Sequence, residues 1–240
     1  MTKARTYPRR GLHGAVVHDL GLRIVQGELE AGESLPTEEE LSSELTASRT
    51  VLREAVKVLA AKRLVKSRPK TGTRVRPRRD WNLLDPDVLA WQLEAGLDRR
   101  FLDAALELRQ LIEPQAARLA AGRATEAQLA ALAQAHDEME RAGEDIELFM
   151  EPDPRFHGLL LEACNNEVLE HMVEIVGAVL RTLFAVSGQP PGHLSRAARL
   201  HGAIVDAVRA RDPDAAEQAV LSLLEDTAKN IERAFGASSP

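Results

Sequence analysis

The 240-residue sequence predicts a mainly α protein in two parts, an N-terminal winged helix-turn-helix and a C-terminal all-α helical bundle. Three observations carry this reading. Short helical patterns closed by a basic, β-compatible hairpin fill residues 12–76. No strand-like alternation follows residue 80, where alanine- and leucine-rich helical periodicity takes over. Charge is also segregated: residues 1–80 hold 17 Lys+Arg against 10 Asp+Glu, and the remainder holds 14 against 27. A small basic unit is joined to a larger acidic one. The expected division is 1–79 for the winged domain, 80–98 for a connector and 99–236 for the helical domain.

The first helix is expected over 13–26, where Val16, Val17, Leu20, Ile24 and Val25 recur at helical spacing and Gly27 can close the C-terminus. Thr37 followed by Glu40 has the form of a capping box, opening a short helix from Glu38 to about Leu45. After the turn Thr46-Ala47-Ser48, Ser48 caps a recognition helix from Arg49 to about Lys62. There Leu52, Val56 and Leu59 form the buried stripe, and Arg49, Arg53 and Lys57 lie four apart on another face. Leu64–Ser67 and Thr73–Arg76 flank a basic turn that ends at Gly72, which is the wing. Residues 80–98, with two tryptophans and Asp85-Pro86, are too apolar for a floppy linker and are expected to pack between the domains. Helices are then expected at about 100–121, 125–142, 145–150, 154–164, 167–186, 193–211 and 213–235.

Composition narrows the function. Between Arg49 and Arg79 stand 12 basic residues and one acid, Glu54, so this part carries a local field suited to phosphates despite the overall charge of −6. Only eight aromatic residues are present, too few in the basic part to stack single-stranded bases, which favours duplex DNA. One cysteine, Cys164, excludes an internal disulfide framework and a multi-cysteine zinc module. No apolar stretch is long enough to span a bilayer, and the N-terminus lacks the apolar run of a secretory signal, so no membrane association and a cytoplasmic location are expected. No Gly-rich phosphate loop, nucleophile elbow or HExxH helix is present, so the chain reads as a non-enzyme.

Three polar groups stand on apolar helix faces. Arg109 shares a face with Leu102, Ala105, Ile112 and Ala116; a buried charge there needs either an internal acid, for instance on a neighbouring helix, or an anionic ligand. Arg181 is a second cationic candidate, on a mixed face. Asp153 and His157 lie four apart, and His157 shares a face with Leu160 and Cys164. His201 lies on the stripe of Leu194, Ala198, Val205 and Val208. Prolines 152 and 154 flank Asp153, so that residue is expected to be extended and to cap a helix starting at Pro154. His136, His171 and His193 have no matching context and read as ordinary polar residues.

The residues Ile24, Gly27, Gly32, Leu35-Pro36, Glu38, Leu41, Ser48-Arg49, Val51, Arg53 and Gly72-Thr73 with Val75 resemble the DNA-binding domain of GntR-type bacterial regulators. Two positions depart from that pattern: Arg63 and Lys70 stand where glycine is usual. The helical remainder resembles the FadR-type C-terminal (FCD) domain through Arg109 and Glu113, Asp153-Pro154-Arg155-Phe156-His157, Asn165-Asn166, and His201 with Ile204, Ala207-Val208, Asp212 and Ala215-Ala216. The stretches 81–91 and 215–219 resemble a branch answering to a sugar acid.

The resemblance implies a homodimeric transcription regulator, a repressor, that binds double-stranded operator DNA under control of a small carboxylate effector. It assigns Arg49, Thr50 and Arg53, with Arg68, Lys70, Thr71, Gly72 and Thr73 of the wing, to the DNA surface. The helix faces offer Arg109 and Arg181 as cations for the effector; with them Asp153, His157 and His201 form the expected effector pocket, and the resemblance implies one divalent metal such as zinc at Asp153, His157 and His201. A fourth family ligand, a histidine, would fall at Leu223, which cannot bind metal. The alternatives are the same polar pocket without metal, an all-helical metal-dependent enzyme with a DNA-binding appendage, and a dimeric DNA-binding protein that senses no ligand.

Overall fold

A computed structural model describes residues 11–68, 72–96, 98–186 and 191–236. The chain divides into two compact units, Met1–Leu97 and Asp98–Pro240. Among the described residues, no helix is long and apolar enough to cross a membrane.

The first unit begins with α1 (Leu12–Gln26), closed by Gly27 in the left-handed conformation. The capping box forms as the sequence demands: Thr37 accepts from the Glu40 amide, Glu40 reaches back to Thr37, and α2 (Glu38–Glu44) follows. Ser48 caps α3 (Arg49–Ala61). The buried stripe of α3 is Leu52, Ala55 and Leu59, with Val56 half-buried at its edge. The helix then ends in a Schellman arrangement, in which the Arg63 amide bonds Ala60 O and the Leu64 amide bonds Leu59 O. Arg63 holds φ at +64°, so the family's usual glycine position keeps its left-handed backbone although an arginine now fills it.

The wing pairs β1 (Val65–Arg68) with β2 (Gly72–Val75) antiparallel, Val65 opposite Val75 and Arg68 opposite Gly72. Gly72 takes φ +79°, a conformation that suits the hairpin and disfavours a side chain. The outer edge of β2 is covered by residues 32–35, whose backbone exchanges hydrogen bonds with Thr73 and Val75. Lys70 and Thr71 lie outside the described residues.

Residues 80–96 complete this first unit. After a 3-10 turn at Arg78–Asp80, Asp85 caps α4 (Pro86–Glu94), which packs on α1 and adds Val88 and Trp91 to the same core as Val17, Leu20 and Leu59. Lys62 is also buried here, its ammonium 2.9 Å from Asp85 and 2.6 Å from Asp87. One of the twelve basic residues in the 49–79 run is therefore spent inside the fold.

The Trp91 indole donates to His18 Nδ1 at 3.1 Å and lies over α1 at Gly21. A Cβ added at Gly21 would stand 2.7 Å from three ring carbons. Mid-helix glycine costs about 1 kcal/mol relative to alanine, yet here the rigid ring needs the space. Gly21→Ala is expected to destabilise the first unit by about 1–3 kcal/mol, the usual cost of overpacking, against the propensity rule. Urea unfolding would measure it, and a stabilised variant would contradict this packing.

The second unit is helical throughout its described residues. In order it contains α5 (Arg99–Arg123), α6 (Glu126–Ala142), α7 (Ile146–Phe149), α8 (Pro152–Glu162), α9 (Glu167–Glu170), α10 (Val173–Val186), α11 (His193–Arg209) and α12 (Pro213–Gly236). The single helix expected at 167–186 is two, α9 and α10, separated at His171-Met172. α12 packs along α5 and α11, while α8 packs against α6, α10 and α5. The core is small and aliphatic, built from residues such as Ala117, Ala120 and Leu132, with Phe149 and Phe156 as its large rings.

Candidate DNA-reading face and effector cavity

The first turn of α3 presents Arg49 and Thr50 to solvent, and Arg53 follows on the same side, also exposed. Arg53 is not free there: its Nε donates to Glu38 Oε1 of α2 at 2.8 Å. That hydrogen bond, with the nearby charges of Arg53 and Arg49, holds the Glu38 carboxyl below its ordinary pKa. Arg49 makes no ion pair among the described residues. In the wing, Gly72 is exposed and Thr73 is half-buried, its hydroxyl 2.8 Å from Ser67 Oγ across the strands.

A cavity in the second unit encloses about 520 Å³ of empty space, part of it open to solvent. Arg109, Asp153, His157, His201 and Leu223 all line it. Four helices supply these side chains: α5 gives Arg109, α8 gives Asp153 and His157 one turn apart, α11 gives His201 and α12 gives Leu223.

Arg109 is buried and its partner lies on its own helix. Nε donates to Glu113 Oε1 at 2.6 Å and Nη2 to Glu113 Oε2 at 3.1 Å, a bidentate pair one turn apart. The acid expected on a neighbouring helix is thus Glu113, four residues on. Burial raises the Glu113 pKa, but the charges and hydrogen bonds of Arg109 and His157 outweigh it and hold the carboxyl far below its ordinary range.

His157 joins this pair to the next residues. Its Nδ1 lies 3.0 Å from Glu113 Oε2, and its Nε2 lies 3.3 Å from Arg109 Nη2 and 3.1 Å from His201 Nε2. His201 Nδ1 is 2.8 Å from Ala197 O. A carbonyl only accepts, so Nδ1 carries the His201 proton and Nε2 carries the lone pair. Burial, then the nearby His157, push the His201 pKa well below its ordinary value, which keeps the ring neutral. Arg109 Nη2 can only donate, so in the neutral ring form that can hold a metal His157 Nε2 is the acceptor and the proton lies on Nδ1, towards Glu113. Two nitrogen lone pairs then face each other across 3.1 Å.

Asp153 Oδ1 lies 3.4 Å from His201 Nε2, and its Oδ2 is buried without a hydrogen-bond partner. Burial pushes this carboxyl above its ordinary pKa, against the pull of His157 and Arg109. The expected capping role is corrected here: α8 starts at Pro152, so Asp153 sits inside its first turn. Prolines at the first and third helical positions remove only amides that would lack a partner anyway, so the helix needs no carboxylate cap.

These atoms fit a metal ion. Asp153, His157 and His201 each offer a ligand atom, all within 4.8 Å of one another. Two imidazole nitrogens about 2.0–2.1 Å from one zinc ion stand roughly 2.9–3.4 Å apart at bond angles near 90–110°. The observed 3.1 Å separation falls in that range. The orphaned Asp153 Oδ2 adds an unmet acceptor.

Two expected assignments come out differently. Arg181 is exposed on α10 and does not line the cavity, whereas Leu180, Leu183 and Phe184 of the same helix do. One residue along a helix turns by about 100°, enough to carry Arg181 off that face. His193, read from sequence as ordinary, does line the cavity, beside Asp226 and Asn230 of α12. Its sequence signal was its spacing, two helical turns before His201 on one face of α11.

A winged helix-turn-helix with exposed arginines opening its third helix, followed by a helical unit with a cavity that holds several polar side chains, defines a DNA-binding transcription regulator. Residues 12–75 match the family described as bacterial regulatory proteins, gntR family, and residues 104–226 match the FCD domain. The chain belongs to the GntR family of bacterial transcriptional regulators. It is 38% identical to the galactonate operon transcriptional repressor of Escherichia coli K12, over 90% of this chain and 95% of that protein. It is 34% identical to the transcriptional repressor NanR of Citrobacter rodentium, over 90% and 84%. The fold is also similar to the solved structures of Lar from Listeria monocytogenes (TM-score 0.60, 20% identity, 95% of this chain and 99% of that one) and of McbR/YncC from E. coli (TM-score 0.54, 20%, 95% and 99%).

Proposed function

We propose that this regulator is a cytoplasmic homodimeric repressor, without enzymatic activity, whose operator binding is released by a small carboxylate, a sugar acid. The observation that carries the sensor half is the convergence of Asp153, His157 and His201 beside Arg109 in one cavity. Arg109 and Glu113 cancel, and a metal is held only by histidines in their neutral form, so in the form that takes up a cation this group has one negative charge, from the Asp153 carboxylate. Such a group repels a carboxylate. A divalent cation such as zinc, held by Asp153, His157 and His201, supplies the charge that turns repulsion into attraction and gives the carboxylate a Lewis-acidic partner. The Glu113 carboxylate lies against His157 Nδ1, the Ala197 carbonyl orients His201, and Arg109 Nη1, with no hydrogen-bond partner among the described residues, keeps donors for the anion. The similarity to a galactonate operon repressor supports a sugar acid.

In the reading head, Arg49, Thr50 and Arg53, with Arg68 and residues 70–73 of the wing, are assigned to the operator. Guanidinium groups donate to guanine edges in the major groove and the wing grips backbone. Two heads in one dimer read half-sites about 34–36 Å apart. Effector binding shifts the population away from the DNA-competent form. Cys164 offers no nucleophile: burial pushes its thiol up to about 11.

His201→Ala removes a direct ligand, so its loss of zinc affinity should exceed the roughly 10–100-fold typical of a lost outer partner. Leu223→His should raise affinity by adding a nitrogen beside the same cavity. Metal analysis after dialysis, with calorimetry of a sugar acid before and after chelation, tests this. Full zinc content in His201→Ala, or an unchanged carboxylate response after chelation, would overturn the metal reading.

A further inference from the structure

The cavity has a second polar end, away from the Asp153–His157–His201 group. It is made by His193 of α11 with Thr227, Asp226 and Asn230 of α12. The apolar side chains of Leu183, Phe184, Leu223 and Ile231 line the same cavity and complete its wall.

The hydrogen-bond chain at this end fixes its own chemistry. Arg233 Nη1 donates to Asn230 Oδ1 at 3.1 Å, so the other amide atom of Asn230 is its nitrogen. That nitrogen donates to Asp226 Oδ2 at 3.1 Å and to His193 Nδ1 at 2.8 Å. His193 Nδ1 is therefore an acceptor, and the ring proton sits on Nε2. Burial holds the His193 pKa below its ordinary value, so the ring is neutral and carries only that proton. Nε2–H has no partner among the described residues. Thr227 spends its own proton on Leu223 O at 3.0 Å, which leaves its oxygen as an acceptor. Arg196 Nε, 2.7 Å from Asp226 Oδ1, balances that carboxylate.

With Asp226 and Asn230 engaged with each other and with their neighbours, this end offers the cavity, among the described residues, one donor, His193 Nε2–H, and one acceptor, the Thr227 oxygen. A hydroxyl answers both, since it accepts from N–H and donates to an oxygen. A carboxylate has no proton for Thr227 and would lie beside Asp226. An ammonium has no lone pair for His193. Spacing sets the length of the ligand. Eight residues separate His193 from His201, a rise of about 12 Å along α11. Contacts of about 2–3 Å at each end leave roughly 6–8 Å between them. At about 1.2 Å per bond of extended chain, this is about five to seven bonds from the carboxylate oxygen to the hydroxyl oxygen, or about four to six carbons.

We propose that His193 and Thr227 recognise the terminal hydroxyl of a sugar acid of about four to six carbons, while its carboxylate lies at the Asp153–His157–His201 end. This rests on the sugar-acid reading of the cavity and adds the group that sets ligand length and class. The test is calorimetry on zinc-loaded full-length protein with galactonate and with 6-deoxygalactonate, which differ only in that hydroxyl. Wild type should bind galactonate at least about tenfold more tightly, since the deoxy compound leaves both polar groups unpaired. His193→Phe keeps a ring and deletes the N–H; Thr227→Val keeps the shape and deletes the oxygen. Each should reduce the preference towards unity while retaining binding of the deoxy compound. Equal binding of both compounds by wild type overturns the proposal and leaves the sugar-acid reading standing. So does a full preference retained in Thr227→Val and His193→Phe. Binding of neither compound to wild type overturns both.

Discussion

Glu113→Leu is expected to destabilise the helical unit by about 3–5 kcal/mol, the usual cost of removing one partner from a buried ion pair. Arg109 and Glu113 are both almost fully buried, and the guanidinium uses two donors on this one carboxylate. Without it a full positive charge stays in the core, next to a histidine that offers little compensation. For a unit of this size the loss corresponds to a fall in Tm on the order of 10 °C. The paired substitution Arg109→Leu with Glu113→Leu removes both charges and should recover much of that stability, because apolar replacement of a whole buried pair is often neutral. Thermal unfolding of the two single variants and the double variant gives the coupling directly. A single variant as stable as wild type would mean that the pair is not buried in solution.

Arg49→Ala and Arg53→Ala are each expected to weaken operator binding by about 1–3 kcal/mol, or roughly 5–150-fold, with the fold intact. Their order should be unequal. Arg49 has no ion pair among the described residues to give up, whereas Arg53 must leave Glu38, so part of its gain on DNA offsets a bond lost within the protein. Arg49→Ala should therefore cost more. Fluorescence anisotropy at one fixed salt concentration, on an operator fragment obtained by in vitro selection, measures both. Unchanged affinity in both variants would remove α3 from the operator.

The reading head was legible in the sequence because its signals are local. Thr37 with Glu40, Ser48 before Arg49, and Gly72 in the hairpin are each decided within a few residues, and each forms as spelled. The sensor was legible only as faces. Periodicity put Arg109, His157 and His201 on inward stripes, and all three are buried. Which inward groups meet depends on helix packing, which spacing does not encode. Glu113 illustrates this: its four-residue offset from Arg109 stood in the sequence, but its burial became apparent only when α8 set His157 against it. Arg181 failed for the opposite reason, since the mixed composition of its face hid a rotation away from the cavity. Lys62 looked like one more DNA-binding cation, and only the return of Asp85 and Asp87 through α4 makes it internal.

The pairing of Arg53 with Glu38 also shapes the response to ionic strength. Duplex DNA wears a sheath of condensed cations, and each phosphate neutralised by a protein frees about 0.9 of one, which makes affinity fall as salt rises. Arg53 carries its own anion into that exchange. The pair approaches the duplex electrically neutral and expels fewer condensed cations than a bare guanidinium would. Lys57 is matched by Glu54 in the same way, and Lys62 is sealed inside the fold. The reading head thus carries less unpaired charge than its run of twelve cations implies, and its affinity for the operator is expected to fall less steeply with salt than that run alone would predict.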